Sequence, residues 1–314
     1  MHLTLRPLYD FSAALAGRNL LAVGVGPSGR LASLLGEQRP GDPASPNELV
    51  IPGVERESTT VATAGLIWDG ADNSVREVPL EPVRIRFPIV QPLPDGGLLI
   101  AGSRVAAGEE PNAVLFDPTG QPTRRILFGD GIEHVQVDED GKAWVGYFDE
   151  GIFGDHSIGS SGLNRFDLRT GLVDWSFAPP PGADWIADCY ALNVANDAVW
   201  VSYYPHFDLI RIDRAGSAMR WATSWSGARA LATDGQSVLF VGTYREPIAA
   251  SVQHLSDGTL TDARRVVLDR SDGRLPGGQL MARGDKVYAA DGARWFAASI
   301  GEITSDGQPH RRSA

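Results

Sequence analysis

The chain of 314 residues has one cysteine, Cys189, and two lysines, Lys142 and Lys286. A single cysteine excludes an internal disulfide framework and any Cys-x-x-Cys motif. No apolar run approaches the roughly 20 residues a membrane helix needs. Residues 1–7 lack an apolar core and a small-residue cleavage site, so they do not read as a signal peptide. Basic residues are outnumbered 28 to 39, a net charge of −11. Sequence-independent nucleic-acid binding draws on Lys and Arg that displace counterions, so this balance argues against it. The acid is spread along the chain and reads as a solvated surface. Catalytic signatures are missing too. There is no Gly-x-Ser-x-Gly elbow and no P-loop. Gly24-Val25-Gly26-Pro27-Ser28-Gly29 is interrupted by proline and lacks a βαβ context, so it reads as a turn. These absences predict a cytoplasmic monomer with no membrane or nucleic-acid partner.

What is present is turn chemistry. Glycine (36) and proline (21) are abundant, and 43% of residues are hydrophobic, enough for a real core. The segment from Ile132 to Tyr147 shows the pattern: an alternating strand, an acidic turn closed by Gly141, then a more apolar strand. It recurs around Pro94-Asp95-Gly96-Gly97, Asn196-Asp197, Asp234-Gly235 and Gly284-Asp285. A first copy is read from Tyr9 through Gly17-Arg18 to Gly24. Asp-Gly and Asn-Asp at these points supply the positive φ of tight hairpins. A second hairpin follows most copies, turning at Thr119-Gly120, Thr170-Gly171, Ala215-Gly216 and Asp257-Gly258. Ile67-Trp68-Asp69-Gly70 with residues 75–80 closes the first. Each unit therefore reads as four antiparallel strands. The separations from Gly96 through Gly141, Asp197 and Gly235 to Gly284 are 45, 56, 38 and 49 residues. A four-stranded unit at that period predicts an all-β fold: a single β-propeller domain over 1–314, with six four-stranded blades and seven as the alternative.

This blade pattern resembles the six-bladed β-propeller superfamily that holds NHL-type, SMP-30/gluconolactonase-like and strictosidine-synthase-like proteins. The acidic turn followed by Trp144-Val145-Gly146 also resembles blades of virginiamycin-B-lyase-like and sensor-kinase propellers. The resemblance covers nearly the whole chain at the level of blades and matches no single family motif by motif. Fold likeness alone leaves function open. Ring closure has two readings. Residues 2–5 complete the last blade, the preferred one because both termini then fasten the ring. Alternatively residues 303–307 form the last turn and 310–312 the outer strand.

Ligands of propellers sit at one rim, where long connections gather. Two are long here: a rim insertion at 26–58, read as a flexible loop or a lid, and a shorter one at 148–161. The ligand-binding candidates at that rim are Glu133, His134, Asp149, Glu150, His156, Trp185, Asp188, Tyr204, His206, Tyr244 and Arg245. Asp184, Gln279, Asp291 and Arg294 lie nearby. Carboxylates, histidines and aromatic rings together suit a small polar ligand or a partner protein. Oxygen ligands of this kind also suit Ca²⁺ or Mg²⁺. Each residue has a plainer reading. Asp149-Glu150 is a turn-capping pair, and His134 bonds a neighbouring blade's backbone. Trp144, Trp175, Trp200 and Trp221 are packing, and Cys189 is a buried inert thiol. Trp185 and Trp225 lie in connections and are read as stacking surfaces. The leading expectation is a binding propeller. The alternative is a metal-assisted hydrolase, lactonase or lyase, with Glu133, Asp149, Glu150 and Asp188 as carboxylates and His134 or His156 shuttling protons.

Overall fold

Period-two alternation between glycine turns should give short strands in hairpins, and the computed structural model contains little else. It describes residues 1–39, 49–50, 59–105, 111–274 and 278–304. The strands begin with β1 (His2–Asp10), β2 (Asn19–Val25), β3 (Leu31–Arg39), β4 (Leu49–Val50), β5 (Thr59–Asp69) and β6 (Ser74–Ile85). Next come β7 (Pro88–Pro92), β8 (Leu98–Gly102), β9 (Ala113–Phe116) and β10 (Pro122–Ile126). β11 (Ile132–Val137), β12 (Lys142–Tyr147), β13 (Leu163–Asp167) and β14 (Leu172–Ser176) follow, with a one-turn helix α1 (Asp149–Ile152) between β12 and β13. Then come β15 (Asp188–Val194), β16 (Ala198–Tyr204), β17 (Leu209–Asp213) and β18 (Ala218–Trp221). The last are β19 (Ala230–Thr233), β20 (Ser237–Val241), β21 (Ala250–Ser256), β22 (Thr259–Arg270), β23 (Gln279–Arg283), β24 (Lys286–Asp291) and β25 (Arg294–Ser299). No helix among the described residues is long and apolar enough to cross a membrane.

Strands β7–β10, β11–β14 and β15–β18 form three four-stranded sheets. Strands β2, β3, β5 and β6 form another, with β4 added parallel to β6. The remaining eight strands run in the order β19-β20-β21-β22-β1-β25-β24-β23. That sheet is two sets of four joined edge to edge. The first strands of successive sets, β2, β7, β11, β15, β19 and β23, touch in that order, and β23 returns to touch β2. Sheets arrayed radially around a closed ring of inner strands make a β-propeller.

The core lies between neighbouring sheets. Trp144 and Trp200, both nearly fully buried, share core clusters with residues of the following sheet: Val194, Val199 and Ile212 for Trp144, Leu231 and Phe240 for Trp200. Trp144 meets Trp175 at 5.3 Å and Trp200 meets Trp221 at 5.7 Å, so these rings are packing, as expected. Close approach also demands small residues. A Cβ on Gly24 would stand 1.9 Å from the Val90 carbonyl oxygen of the neighbouring inner strand, and one on Gly146 would stand 2.6 Å from Cys189 Sγ.

Beyond the first repeat, the inner hairpin turns follow the sequence with one exception. Gly96, Gly141, Gly235 and Gly284 have φ between 56° and 90°. The Asn196-Asp197 turn closes without a positive φ at either residue. Its hairpin is pinned instead by the Ala195 N–H donating to the Ala198 carbonyl at 2.9 Å.

Two expectations need correction. The first repeat was framed one strand early: Asn19–Val25 is the inner strand and Leu31–Arg39 its partner. The insertion expected from residue 26 thus begins only after β3, and 40–48 and 51–58 lie outside the described residues. The cause is an unusual turn, a 3-10 segment at Pro27–Gly29 in place of an Asp-Gly pair. Ring closure is the second. Arg6–Asp10 pairs antiparallel with β25, whereas His2–Leu5 pairs parallel with β22 of the preceding set. The N-terminal strand does close the ring, through its second half. The alternative over 303–307 and 310–312 falls largely outside the described residues, although Thr304 bridges His2.

Candidate functional site

The inner strands end in a layer of polar side chains that crosses the axis. Gln136 donates from Nε2 to the Leu192 and Ala282 carbonyls at 2.9 and 3.2 Å, and its Oε1 accepts the Val194 N–H at 2.8 Å. Asn193, fully buried, donates from Nδ2 to the Leu231 and Gly284 carbonyls at 2.9 and 2.8 Å and accepts the Gly284 N–H at 2.7 Å. Gln91 accepts the Val137 N–H at 3.4 Å. An amide supplies both donor and acceptor, so it can satisfy two strands that a hairpin ladder leaves unpaired. This layer is the floor beneath the mouth.

Above it lies a cavity of about 730 Å³ bordered by Glu133, His134, Phe148, Asp149, Asp188, Tyr190, Arg229 and Gln279. Three carboxylates face one guanidinium. The Asp188 carboxyl is pushed up to about 6, first by burial and then by the charges of Asp149 and Glu133. Tyr190 is pushed upward by burial, by a hydrogen bond with Tyr244, and by the charges of Asp188 and Asp149. Its ring meets Phe207 and Tyr244 edge-on at 5.1 and 5.4 Å. Phe207 in turn meets Tyr204 at 5.9 Å. The acidic lining thus continues into an aromatic wall.

The model of the YxzG family matches residues 176–297, less than half of the chain. No curated protein matches. Among solved structures, a catalytically inactive virginiamycin B lyase from Staphylococcus aureus, bound to quinupristin, aligns over 95% of this chain and 100% of its own at 11% identity and a TM-score of 0.49. The β-propeller domain of the Trilobed protease from Pyrococcus furiosus aligns over 86% of this chain and 79% of its own, at 14% identity and a TM-score of 0.44. The extracellular domain of a hybrid two-component system from B. thetaiotaomicron covers 99% of this chain and 44% of its own, at 14% identity and a TM-score of 0.47. The chain is a β-propeller. That statement rests on its own ring of inner strands.

The structure brings Glu133, His134, Asp149, Asp188 and Gln279 to one cavity, sets Tyr204 and Tyr244 on the adjoining aromatic wall, and disperses the other predicted residues. His134 Nε2 donates to the Tyr190 carbonyl at 3.1 Å, the plainer role foreseen for it. The Asp149-Glu150 pair is split: Glu150 is drawn to Arg104 Nη1 at 2.5 Å, and Arg104 also holds Asp130. Asp149 Oδ1 accepts the Glu150 N–H at 2.8 Å while facing the mouth. His206 pairs with Asp184 at 2.7 Å in the open. His156 is half-buried ahead of the 3-10 segment Ser157–Ser161. Arg245 is exposed. Trp185 and Tyr244 stay exposed and available for stacking. Trp225 does not, because its Nε1 donates to the Gly242 carbonyl at 2.9 Å and its ring packs on a core cluster. Asp291 is taken by Arg270 and Arg294, each at 2.7 Å. Cys189 is fully buried with its thiol pushed well up, hence inert. Among the described residues, no set of three or more His, Cys, Asp or Glu side chains is placed to hold a metal ion.

Sequence reasoning missed Tyr190 and Arg229 in the lining, and the whole amide layer. A signal existed for the layer: Gln91, Gln136 and Asn193 each stand shortly before an inner hairpin turn.

Proposed function

We propose that this chain is a six-bladed binding propeller whose mouth takes a ligand carrying cationic nitrogen. The observation that carries the reading is Asp188. Its carboxyl is held up near 6 because burial and two further carboxylates oppose its ionisation. A site built this way gains the most when a cation neutralises it. The Tyr190–Phe207–Tyr244 wall adds aromatic faces, which attract amines and guanidinium groups. The six inner strands support the blade count, which is that of NHL-type and SMP-30-like propellers. A single domain accords with the closed ring, and the cytoplasm with the composition. The test is calorimetric titration of the whole protein with spermidine and with argininamide. Saturable binding is expected, weakened at least tenfold in Asp149→Asn and Asp188→Asn. Equal affinity in the variants, or no binding of either probe, would refute it.

An enzyme reading has one observation in its favour: a carboxyl ionising near 6 beside a second carboxylate suits general acid–base work. It requires turnover. A lactone panel hydrolysed by the wild type and not by Asp188→Asn would select it.

A further inference from the structure

The face opposite the mouth holds a guanidinium short of acceptors. Arg283 ends β23 and is 7% exposed. Its Nη2 donates to the Val137 carbonyl at 2.5 Å. Its Nη1 is buried and has no hydrogen-bond partner. Burial lowers this arginine to about 10, against the attraction of Asp138 and Glu139, so it remains charged at neutral pH. An unpaired buried charge is strongly unfavourable, and proteins normally supply a counter-charge.

The nearby carboxylates are already committed. Asp138 accepts the N–H groups of Asp140 and Lys142 and the Trp144 indole N–H at 3.0, 2.9 and 3.1 Å. Glu139 accepts the Ser28 hydroxyl at 2.6 Å. Asp234 accepts the N–H groups of Gln236 and Ser237 at 2.9 and 2.7 Å. Each is tied to its own turn or to a neighbouring one. A cavity lies on each side of Arg283. One cavity, of about 270 Å³, has cations of its own in Lys142, Arg165 and Arg214 beside Asp138 and Glu139; the other, of about 360 Å³, is bordered by Asn196, Asp197, Asp234, Asp285 and Lys286. Arg283 is the one charged residue that borders both.

We propose that Arg283 anchors a small zwitterionic amino acid on this face, remote from the mouth. The ligand's carboxylate meets the guanidinium, and its ammonium points to the surrounding carboxylates. Charge decides between anions. In the second cavity a doubly charged phosphate would meet Asp197, Asp234 and Asp285 against Lys286 and Arg283, whereas a zwitterion satisfies both signs. The second cavity, about 360 Å³, is roomy enough for a molecule of that size.

The test is calorimetric titration of the full-length protein with glycine, acetate and inorganic phosphate at matched ionic strength. Saturable glycine binding is expected, tighter than acetate, with phosphate weakest. Arg283→Met should weaken glycine at least tenfold, and Arg283→Lys should fall between. Absence of glycine binding, phosphate binding as tightly as glycine, or unchanged affinity in a folded Arg283→Met protein would overturn the proposal. Should that variant not fold, a wild-type crystal soaked in glycine decides. A carboxylate within hydrogen-bond distance of Nη1 supports the site, and water alone there overturns it.

Discussion

At the scale of single residues, Asp188 makes the sharpest demand. Its carboxyl ionises near 6 in the fold against an ordinary 3.8. The folded protein therefore holds this proton more tightly than the unfolded chain does. The stabilisation is complete below pH 3.8 and is lost as pH rises through 6. Because the group is only half-buried, solvent screening leaves about 1 kcal/mol of it. Asp188→Asn should accordingly be more stable than wild type by about that amount at pH 8, with the difference vanishing near pH 4. Urea unfolding at the two pH values measures this directly. A variant less stable at pH 8 would show that the carboxylate is paired, not frustrated. The same proton links to binding: a cation at the mouth favours ionised Asp188, so affinity for argininamide should climb as pH rises from 5 to 7.

At the scale of elements, the amide layer is what joins one inner strand to the next. Asn193 makes three hydrogen bonds to two other strands or their ends, all away from solvent. Asn193→Ala removes them and strands a buried carbonyl and N–H, a loss of about 3 kcal/mol. A fall in thermal midpoint of several degrees in a calorimeter is expected; a change within error would show that water replaces the amide. This layer explains where the sequence was readable. Strands between Asp-Gly turns could be placed because glycine at positive φ leaves a local mark, as at Gly141 and Gly235. A lone Gln on an alternating strand leaves none, since its partners, such as Leu192 for Gln136, are 56 residues away. The first repeat was misframed for a related reason: Pro27–Gly29 turns without the acidic pair. The site was half legible. Glu133 and Asp188 converge because they open the successive inner strands β11 and β15, and Asp149 joins them from the connection that follows β12. Glu150 was lost to Arg104, a partner that no spacing announces.

At the scale of the whole molecule, the N-terminal strand decides whether the ring behaves as one unit. β1 is shared, its first half paired with β22 and its second with β25. Leu3 and Leu5 on the first half are fully buried in the cluster that joins those two sets. A ring whose members each contact only two neighbours could unravel stepwise from such a seam. The floor argues otherwise, because Gln136 and Asn193 tie β11 and β15 across to the β23 side of the axis. Leu5→Ala should cost about 2–4 kcal/mol, the price of a buried leucine truncated in place. With 5-fluorotryptophan incorporated, eight ¹⁹F resonances report on tryptophans from Trp68 to Trp295. In a single cooperative unit they lose native intensity at one urea concentration, and Leu5→Ala moves all of them together. If Trp295 shifted ahead of Trp144 and Trp200, the seam would open before the rest, and the chain would be a string of blades closed only at its end.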